Sequence, residues 1–368
     1  MERRVYLKRW RRCRELLGET GVDLMVLTPG PNMTYMTGFR EEPGERLLTA
    51  LLPLEGDPLF IVPELYEEQV ARASWIEDMR VWRDAEDPLR LLSEALKELD
   101  EGGKKVALDT RMWARFVLMF REALPRAAFA DACIVMDELR IVKGEEEIEA
   151  MRRGFRATDK AMEMVVSSLK EGMTERQAAS LIQSAVMERG ADATSFMPIA
   201  SSGPNGSQPH YRYGDRRLRR GDAVVLDFGG VFGGYYTDIT RTVFLGFAND
   251  EQREVYDLVR EANEAAVEAA TSGTPAEAVD QAARKTIADG GYGDRCIHRT
   301  GHGIGLEVHE EPYIVQGNRR PLENGMTFSV EPGIYLAGRF GVRIENIVYM
   351  HSGKAKRFDE YTRDLQVI

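Results

Sequence analysis

Short, continuous apolar runs alternate with amphipathic segments over the first third of the chain. Residues 89–99 carry apolar side chains at helical spacing, which predicts a helix. Four runs have the length and continuity of buried strands: residues 22–27, 47–52, 59–62 and 106–108. Strands that alternate with helices predict an α/β domain, which we place at residues 1–136.

After the acidic residues Glu145-Glu146-Glu147, the chain has longer segments of helical periodicity and further strand-like runs. Over residues 148–169, apolar side chains recur at the spacings of one helix face. Thr174 and Gln177 form a candidate capping box, and residues 274–290 have the punctuation of a further helix. Four strand-like runs follow: residues 223–228, 235–245, 326–330 and 342–350. Helices around a strand-rich core predict an α+β domain over residues 137–368.

The composition is that of an ordinary globular protein, with 43% hydrophobic and 30% charged residues. A chain of 368 residues is longer than one usual core and favours two domains. The net charge of −11 gives no general attraction to phosphate backbones or anionic membranes. No stretch approaches the roughly 18 apolar residues of a membrane span. We therefore expect neither nucleic acid nor a membrane as a partner.

Cysteine usage and the amino terminus indicate a compartment. Cys13, Cys133 and Cys296 are widely spaced and form no CxxC pair, so neither a disulfide framework nor a thiolate metal site is expected. The chain opens on the charged segment Met1-Glu2-Arg3-Arg4 instead of an apolar signal sequence. These features predict a cytoplasmic protein.

Carboxylates interrupt the predicted strands of the second domain. A carboxylate buried in a sheet must be paired, hydrogen-bonded or bound to metal, because desolvating it alone costs many kcal/mol. A single such acid could be solvated at a strand end or could pair with an arginine such as Arg241 or Arg343. Four acids occupy such places: Asp227, Asp238, Glu331 and Glu345. Together with His302 in a glycine-rich segment, they favour a pair of divalent cations as their common partner, and hence a hydrolytic site.

The surroundings of these residues carry a family resemblance. In chain order, the five residues lie in the segments DFG, TDITRT, GHGIG, EPG and RIEN. This order resembles the pita-bread metallopeptidases, in the branch of proline dipeptidases (prolidases) and aminopeptidase P. The resemblance covers residues 141–368, and the stretch 298–312 is most similar to microbial prolidases. It implies a pita-bread catalytic domain that follows a creatinase-like α/β domain.

The resemblance assigns a role to each ligand. Asp227 would chelate the first metal ion, while Asp238 and Glu345 would bridge both ions. His302 and Glu331 would complete the second. These five residues are therefore the predicted metal ligands.

Further residues are implied in catalysis and substrate binding. Glu331 would also handle the proton of the attacking water. His210 and His309 match two auxiliary histidines that contact substrate and steady the tetrahedral intermediate. Arg343, two residues before a bridging acid, is assigned to substrate binding.

The implied activity is dinuclear, metal-dependent hydrolysis of the peptide bond before proline, in a dipeptide or a longer peptide. The oxygen-rich donor set with one imidazole suits manganese, cobalt, zinc or iron without separating them, and manganese is the ion we expect. A creatinase-like amidinohydrolase and a non-enzymatic peptide-binding protein are alternatives of the same fold, against which the intact ligand set argues. A homodimer is expected from the family. Arg319 and Arg320 are candidates for binding the free carboxylate of a dipeptide.

Overall fold

The computed structural model describes residues 3–99 and 104–368, so Met1-Glu2 of the charged amino terminus lies outside the described residues. Helices and strands are interspersed along the whole described chain. Among these residues, no helix is both long enough and apolar enough to cross a membrane.

The chain forms two compact units that divide between Arg140 and Ile141. The helix Cys133–Arg140, which belongs to the first unit, runs through the expected boundary after residue 136. The domain limits 1–136 and 137–368 stay predictions.

The amino-terminal unit is an α/β sheet with helices in its connections. Its strands are β1 (Leu24–Leu27), β2 (Thr49–Pro53), β3 (Leu59–Pro63), β4 (Asp78–Trp82), β5 (Lys105–Leu108) and β6 (Ala128–Asp131). Its helices are α1 (Arg3–Thr20), α2 (Pro31–Thr37), α3 (Glu67–Ala73), α4 (Pro88–Glu98), α5 (Ala114–Ala123) and α6 (Cys133–Arg140). The strand order is β4-β3-β2-β1-β5-β6, with β1 parallel to β5 and antiparallel to β2.

The continuous apolar runs mark the interior of this sheet. The four predicted runs correspond to β1, β2, β3 and β5, and the predicted helix is α4. Every residue of β1, β2 and β3 is buried, which explains why these strands read as unbroken apolar segments. The strands β4 and β6 were not predicted because they form the two edges, where Asp78 and Asp131 are exposed.

The second unit holds more strands and four long helices within the described residues. The helices are α7 (Glu145–Ser168), α8 (Glu175–Glu188), α9 (Asp250–Ala269) and α10 (Ala276–Asp289). Its strands up to residue 244 are β7 (Ala193–Thr194), β8 (Ile199–Ser202), β9 (Ala223–Phe228), β10 (Gly230–Phe232), β11 (Tyr235–Tyr236) and β12 (Ile239–Phe244). The later strands are β13 (Gly301–Gly303), β14 (Glu310–Ile314), β15 (Thr327–Val330), β16 (Gly333–Leu336), β17 (Phe340–Arg343), β18 (Asn346–His351), β19 (Lys354–Arg357) and β20 (Gln366–Val367).

Two pairs of helices cover two sheets. Helices α7 and α8 pack on the sheet β20-β12-β9-β8, and α9 and α10 pack on the sheet β14-β13-β15-β18-β19. The predicted capping box of α8 is confirmed, since Gln177 N–H donates to Thr174 Oγ1 at 3.1 Å. Helix α9 was missed, although Asn249 and Gln252 form an equivalent capping box at its start. The α+β character of this unit is confirmed.

Two of the predicted long strands are broken at an acid. The run 235–245 divides into β11 and β12 around Asp238, and the run 342–350 divides into β17 and β18 around Glu345. Glu345 N–H donates to Thr240 O at 3.1 Å, so the backbone turns to bond a strand of the other sheet. The prediction of continuous strands was wrong because this bond joins residues far apart in sequence.

Candidate active site

Five side chains from both sheets meet at one place in the second unit. Asp227 lies in β9 and His302 in β13. The other three acids flank strands: Asp238 precedes β12, Glu331 follows β15, and Glu345 separates β17 from β18. All five line one cavity of about 730 Å³. The structure thus brings together every residue that the sequence predicts as a metal ligand.

Two glycines allow His302 to enter this cavity. A Cβ atom at Gly301 would lie 1.9 Å from Ser329 O, and one at Gly303 would lie 2.2 Å from Glu311 O. Strand β13 can therefore approach its neighbours only with glycine on each side of the histidine. His302 N–H donates to Ser329 Oγ at 2.9 Å, which fixes the backbone at this position.

The imidazole of His302 faces two of the acids. Its Nε2 atom lies 3.3 Å from Glu331 Oε1 and 3.9 Å from Asp238 Oδ2. Its Nδ1 atom lies 3.0 Å from Gly303 O, so a neutral ring donates its proton there and presents a lone pair at Nε2. One ligand atom each from Asp238, His302 and Glu345 lie within 4.8 Å of one another.

The acids have some oxygens held by the protein and others directed into the centre. Arg343 Nη2 donates to Asp227 Oδ2 at 2.5 Å, and Thr240 Oγ1 donates to Glu345 Oε2 at 2.9 Å. In the described part of the chain, three buried oxygens of the acids accept no hydrogen bond: Asp227 Oδ1, Asp238 Oδ1 and Glu345 Oε1. Such oxygens are costly unless something positive lies between them.

The electrostatics of the centre follow from burial and mutual repulsion. Burial raises the pKa of Asp238 and of Glu345 well above the usual range, and the charges of Asp227 and Glu331 raise both further. Burial also opposes ionisation of Glu331, but donation from Nε2 of a protonated His302 lowers the pKa of Glu331 to about 2. Ionising all four carboxylates at once is therefore unfavourable unless positive charge is added.

Arg343 lies behind the acids with its donors engaged by the protein. Besides Asp227, its guanidinium donates to Tyr335 Oη at 2.8 Å, to Pro209 O at 3.3 Å and to Thr240 Oγ1 at 3.2 Å. The side chain lines the cavity but is only 4% exposed. This geometry orients Asp227, and the substrate-binding role of Arg343 stays a prediction.

Tyr335 and His298 continue this hydrogen-bond network, and neither was predicted as a site residue. Burial raises the pKa of Tyr335 to about 12 against the opposing charge of Arg343, so its hydroxyl stays protonated. His298 Nδ1 donates to Arg299 O at 2.7 Å, which leaves Nε2 to accept from Tyr335 Oη at 2.8 Å. Tyr335 belongs to an apolar strand, so no local signal distinguishes it from a core tyrosine.

The two auxiliary histidines lie in different settings. The His309 ring packs edge-on against His302, with ring centroids 4.2 Å apart. Burial and the charge of His302 lower the pKa of His309 to about 4. His210 lines the cavity and is exposed, and its imidazole forms no hydrogen bond or ion pair with any residue that the structure describes.

The remaining cavity wall is part apolar and part cationic. Arg212 and Arg299 supply the positive charges, and neither forms an ion pair among residues 3–99 and 104–368. Arg319 lies elsewhere, with its side chain 88% exposed and Nε 3.7 Å from Glu277 Oε1, and Arg320 is not among the lining residues described. The apolar part consists of Phe196, Met197, Ile199 and Val308.

Models of two families match the chain in succession. The model of metallopeptidase family M24 matches residues 149–352, and that of the creatinase/prolidase N-terminal domain matches residues 9–142. The chain belongs to metallopeptidase family M24. A "Probable dipeptidase PepE" of Mycobacterium tuberculosis (strain ATCC 25618 / H37Rv) is 40% identical to this chain. The match covers 99% of this chain and 97% of the relative.

Other M24 relatives agree in sequence and in structure. The chain is 34% identical to a "Xaa-Pro dipeptidase" of Lactobacillus helveticus, with 97% of this chain and 98% of the relative covered. The crystal structure of a recombinant prolidase from Thermococcus sibiricus matches with a TM-score of 0.95 and 38% identity, covering 100% of both chains. The creatinase-like domain followed by a pita-bread catalytic domain is thereby confirmed.

The donor set of this M24 centre fits divalent metal ions. The unpartnered oxygens of Asp227, Asp238 and Glu345 are hard donors, and His302 adds one borderline nitrogen. Cations among them would satisfy these oxygens and offset the repulsion that raises the pKa of Asp238 and Glu345. The residues present therefore suit the metal dependence of the family.

Proposed function

We propose that this M24 peptidase hydrolyses Xaa-Pro dipeptides at a centre of two divalent ions. The observation that carries the proposal is the set of buried, unpartnered carboxylate oxygens gathered beside one imidazole in a cavity. Four carboxylates carry the charge that balances two divalent cations. The proposed ligands are Asp227, Asp238, His302, Glu331 and Glu345.

The chemistry of such a centre is hydrolytic. Bound by these residues, two divalent ions would supply a water of lowered pKa and a polarised carbonyl oxygen. In this proposal Glu331 takes the proton of the attacking water, which is supported by its lining the cavity, by the 17% exposure of its side chain and by the hydrogen bond that Ser329 Oγ donates to it at 3.1 Å. Arg343 orients Asp227 by donating to its Oδ2 atom at 2.5 Å.

His210 and His309 act on the substrate in this proposal. His309 is held against His302 and, with its lowered pKa, is neutral at pH 7 and able to donate a hydrogen bond to developing negative charge. His210 reaches the cavity from another loop. Neither is needed to complete the ligand set.

The cavity wall suits proline and a free carboxylate. A proline ring offers no N–H, so the apolar wall of Met197, Ile199 and Val308 can seat it without an unsatisfied donor. Arg299 and Arg212 have no carboxylate partner within the described residues and can bind the carboxylate of a dipeptide. The names of the relatives, Xaa-Pro dipeptidase and prolidase, support the same assignment.

A substrate series tests this proposal. We expect kcat/KM for Leu-Pro to exceed that for Leu-Ala, Leu-Pro-Pro and Leu-Pro-amide, since the last two displace or remove the carboxylate charge. Arg299→Gln should raise KM for Leu-Pro and leave Leu-Pro-amide unaffected, whereas Arg319→Gln outside the cavity should change neither. A preference for Leu-Pro-Pro over Leu-Pro would indicate an aminopeptidase, and a preference for Leu-Ala would overturn the proline assignment.

Three finer features complete the proposal. Manganese suits the oxygen-rich donor set, and activity after reloading with manganese, cobalt, zinc or iron tests this choice. A homodimer follows from the family and is tested by light scattering on the purified protein. The proposed cytoplasmic location rests on the cysteines, which are widely spaced and form no CxxC pair.

The two alternatives of the same fold are disfavoured. An amidinohydrolase that works without metal has no use for buried carboxylate oxygens that lack a partner. A protein that only binds peptides would not need Glu331 and His302 directed at the same point. Elemental analysis distinguishes both from the proposed enzyme.

A further inference from the structure

We propose that Glu175 is a positioning residue that holds the loop carrying His210 at the cavity. The proposal rests on the proposed function, because it acts through the role given there to His210. Glu175 is the first residue of α8 and is completely buried. Nothing in its sequence context separates it from an ordinary acid in the first turn of a helix.

The Glu175 carboxylate is surrounded by donors from one loop. Its Oε1 atom accepts from Ser202 N–H at 2.8 Å, from Ser202 Oγ at 2.7 Å and from Asn205 Nδ2 at 3.0 Å. Its Oε2 atom accepts from Asn205 Nδ2 and from Gly214 N–H, both at 3.0 Å. A buried carboxylate with this many donors is a strong and rigid anchor.

These donors lie at both ends of the segment that bears His210. Ser202 ends β8 and Asn205 lies in the short 3-10 helix Gly203–Ser207 that follows it, while Gly214 lies beyond the histidine. The start of α8 adds two backbone hydrogen bonds. Arg176 N–H donates to Gly214 O and Glu175 N–H donates to Arg216 O, both at 3.0 Å. Together with the bond from Ala200 N–H to Arg212 O at 2.6 Å, this carboxylate closes the loop at its base.

His210 depends on this base because its own side chain has no anchor. The imidazole is exposed and forms no hydrogen bond with any residue that the structure describes. The adjacent Pro209 O accepts only a long bond, 3.3 Å, from Arg343 Nη1. The position of the imidazole is therefore set by the backbone of residues 202–214.

Arg216 supports the negative charge of Glu175 through Ser202, and we call Glu175 with its donors Ser202, Asn205 and Gly214 the clamp. Arg216 Nη1 donates to Ser202 Oγ at 2.6 Å, and the same guanidinium binds Asp222 at 2.6 and 2.8 Å. Ser202 therefore relays between Arg216 and Glu175. This arrangement requires an acceptor at both oxygens of Glu175, which an amide cannot provide.

The test compares Glu175→Gln, Glu175→Asp and His210→Ala with the double variant Glu175→Gln/His210→Ala. In Glu175→Gln, the amide NH₂ group faces donors of the loop and cannot accept from them. We therefore expect kcat/KM for Leu-Pro to fall by about 10–100-fold, the scale expected when His210 is misplaced by about 1 Å. Metal content should stay at the wild-type value. In the His210→Ala background the same change should cost nothing further, and Glu175→Asp should recover part of the loss.

Hydrogen exchange gives a readout that does not depend on the reaction. Peptides covering residues 202–214 should exchange faster in Glu175→Gln, while those covering β12 and β15 should not change. Glu147→Gln is the matched control, because Glu147 is a buried carboxylate that accepts from Tyr235 Oη at 2.9 Å, away from this loop. It should lower Tm without speeding exchange over residues 202–214.

Several outcomes would overturn the clamp. Equal losses from Glu175→Gln with and without His210, or unchanged exchange over residues 202–214, would show that Glu175 does not act through His210. If Glu175→Gln does not fold, Asn205→Ala removes one donor and should give a smaller loss, about 3–10-fold, that is again absent in the His210→Ala background. An additive loss there would contradict the proposal. A wild-type protein inactive on Leu-Pro would refute the proposed function, while the exchange measurement would still decide the clamp.

Discussion

The replacement Asp238→Asn should have opposite effects on stability in the metal-free and the metal-loaded protein. Asp238 is 5% exposed, its Oδ1 atom accepts no hydrogen bond in the described residues, and burial raises its pKa. Its charge is thus unfavourable until cations are present. The isosteric amide removes that charge and can donate to the neighbouring carboxylates.

The magnitudes follow from these two states. Without metal, relieving one buried, unpartnered acceptor is worth about 1–3 kcal/mol, and Tm should rise by about 2–4 °C for each kcal/mol. With metal at 100 times Kd, each ion stabilises the wild type by about 2.7 kcal/mol. The variant Asp238→Asn should lose this stabilisation by bound metal for one ion or for both.

The assay is thermal unfolding of wild type and variant, each with chelator and with excess Mn²⁺, together with elemental analysis after dialysis. Asp359→Asn is the matched control, because Asp359 is 3% exposed and satisfied by Arg241 Nη2 at 3.0 Å and by Ile347 N–H at 3.1 Å. It should lower Tm in both conditions. If Asp238→Asn also lowered Tm in chelator, or kept two ions and full activity, the bridging assignment would be wrong.

Three further predictions concern single residues. Glu331→Gln should lower kcat for Leu-Pro by about 10²-fold or more, and an unchanged kcat at saturating metal would exclude its role in proton transfer. His309→Ala should lower kcat with metal content near wild type, whereas His302→Ala should lose metal; equal metal loss would make His309 a ligand. Burial raises the pKa of Asp159 from 3.8 to about 6, so the folded state binds this proton more tightly and loses stability as pH rises from about 4 through 6. The Tm of Asp159→Asn relative to wild type should therefore increase between pH 5 and pH 7.5, and a constant difference would contradict this.

The candidate metal ligands could be identified in the sequence because each breaks a local rule. Asp227 and Glu345 stand where a buried strand should be apolar, and such an acid needs a partner whatever the fold. His302 was identifiable because glycines flank it, and the close approach of Ser329 O to Gly301 shows why they are needed. Each of these signals can be seen within a few neighbouring residues of the sequence, without knowledge of the fold.

The supporting residues were not predictable because their partners are distant in sequence. Tyr335 and Glu175 look like a core tyrosine and a helix-start acid, and only the fold brings them to Arg343 and Ser202. The division of the run 342–350 into two strands also depends on a bond to Thr240 from another sheet. Arg319 was a candidate because of its position in the sequence, and the structure places its side chain outside the cavity and 88% exposed.

The central claim is that two divalent ions at these ligands enable cleavage before proline. The most direct measurement reloads the chelated protein stepwise with Mn²⁺ and determines bound metal and kcat for Leu-Pro on the same samples. We predict no activity without metal and a plateau at two ions per chain. Full activity on Leu-Pro in the chelated protein, or a plateau reached at one ion, would contradict the account.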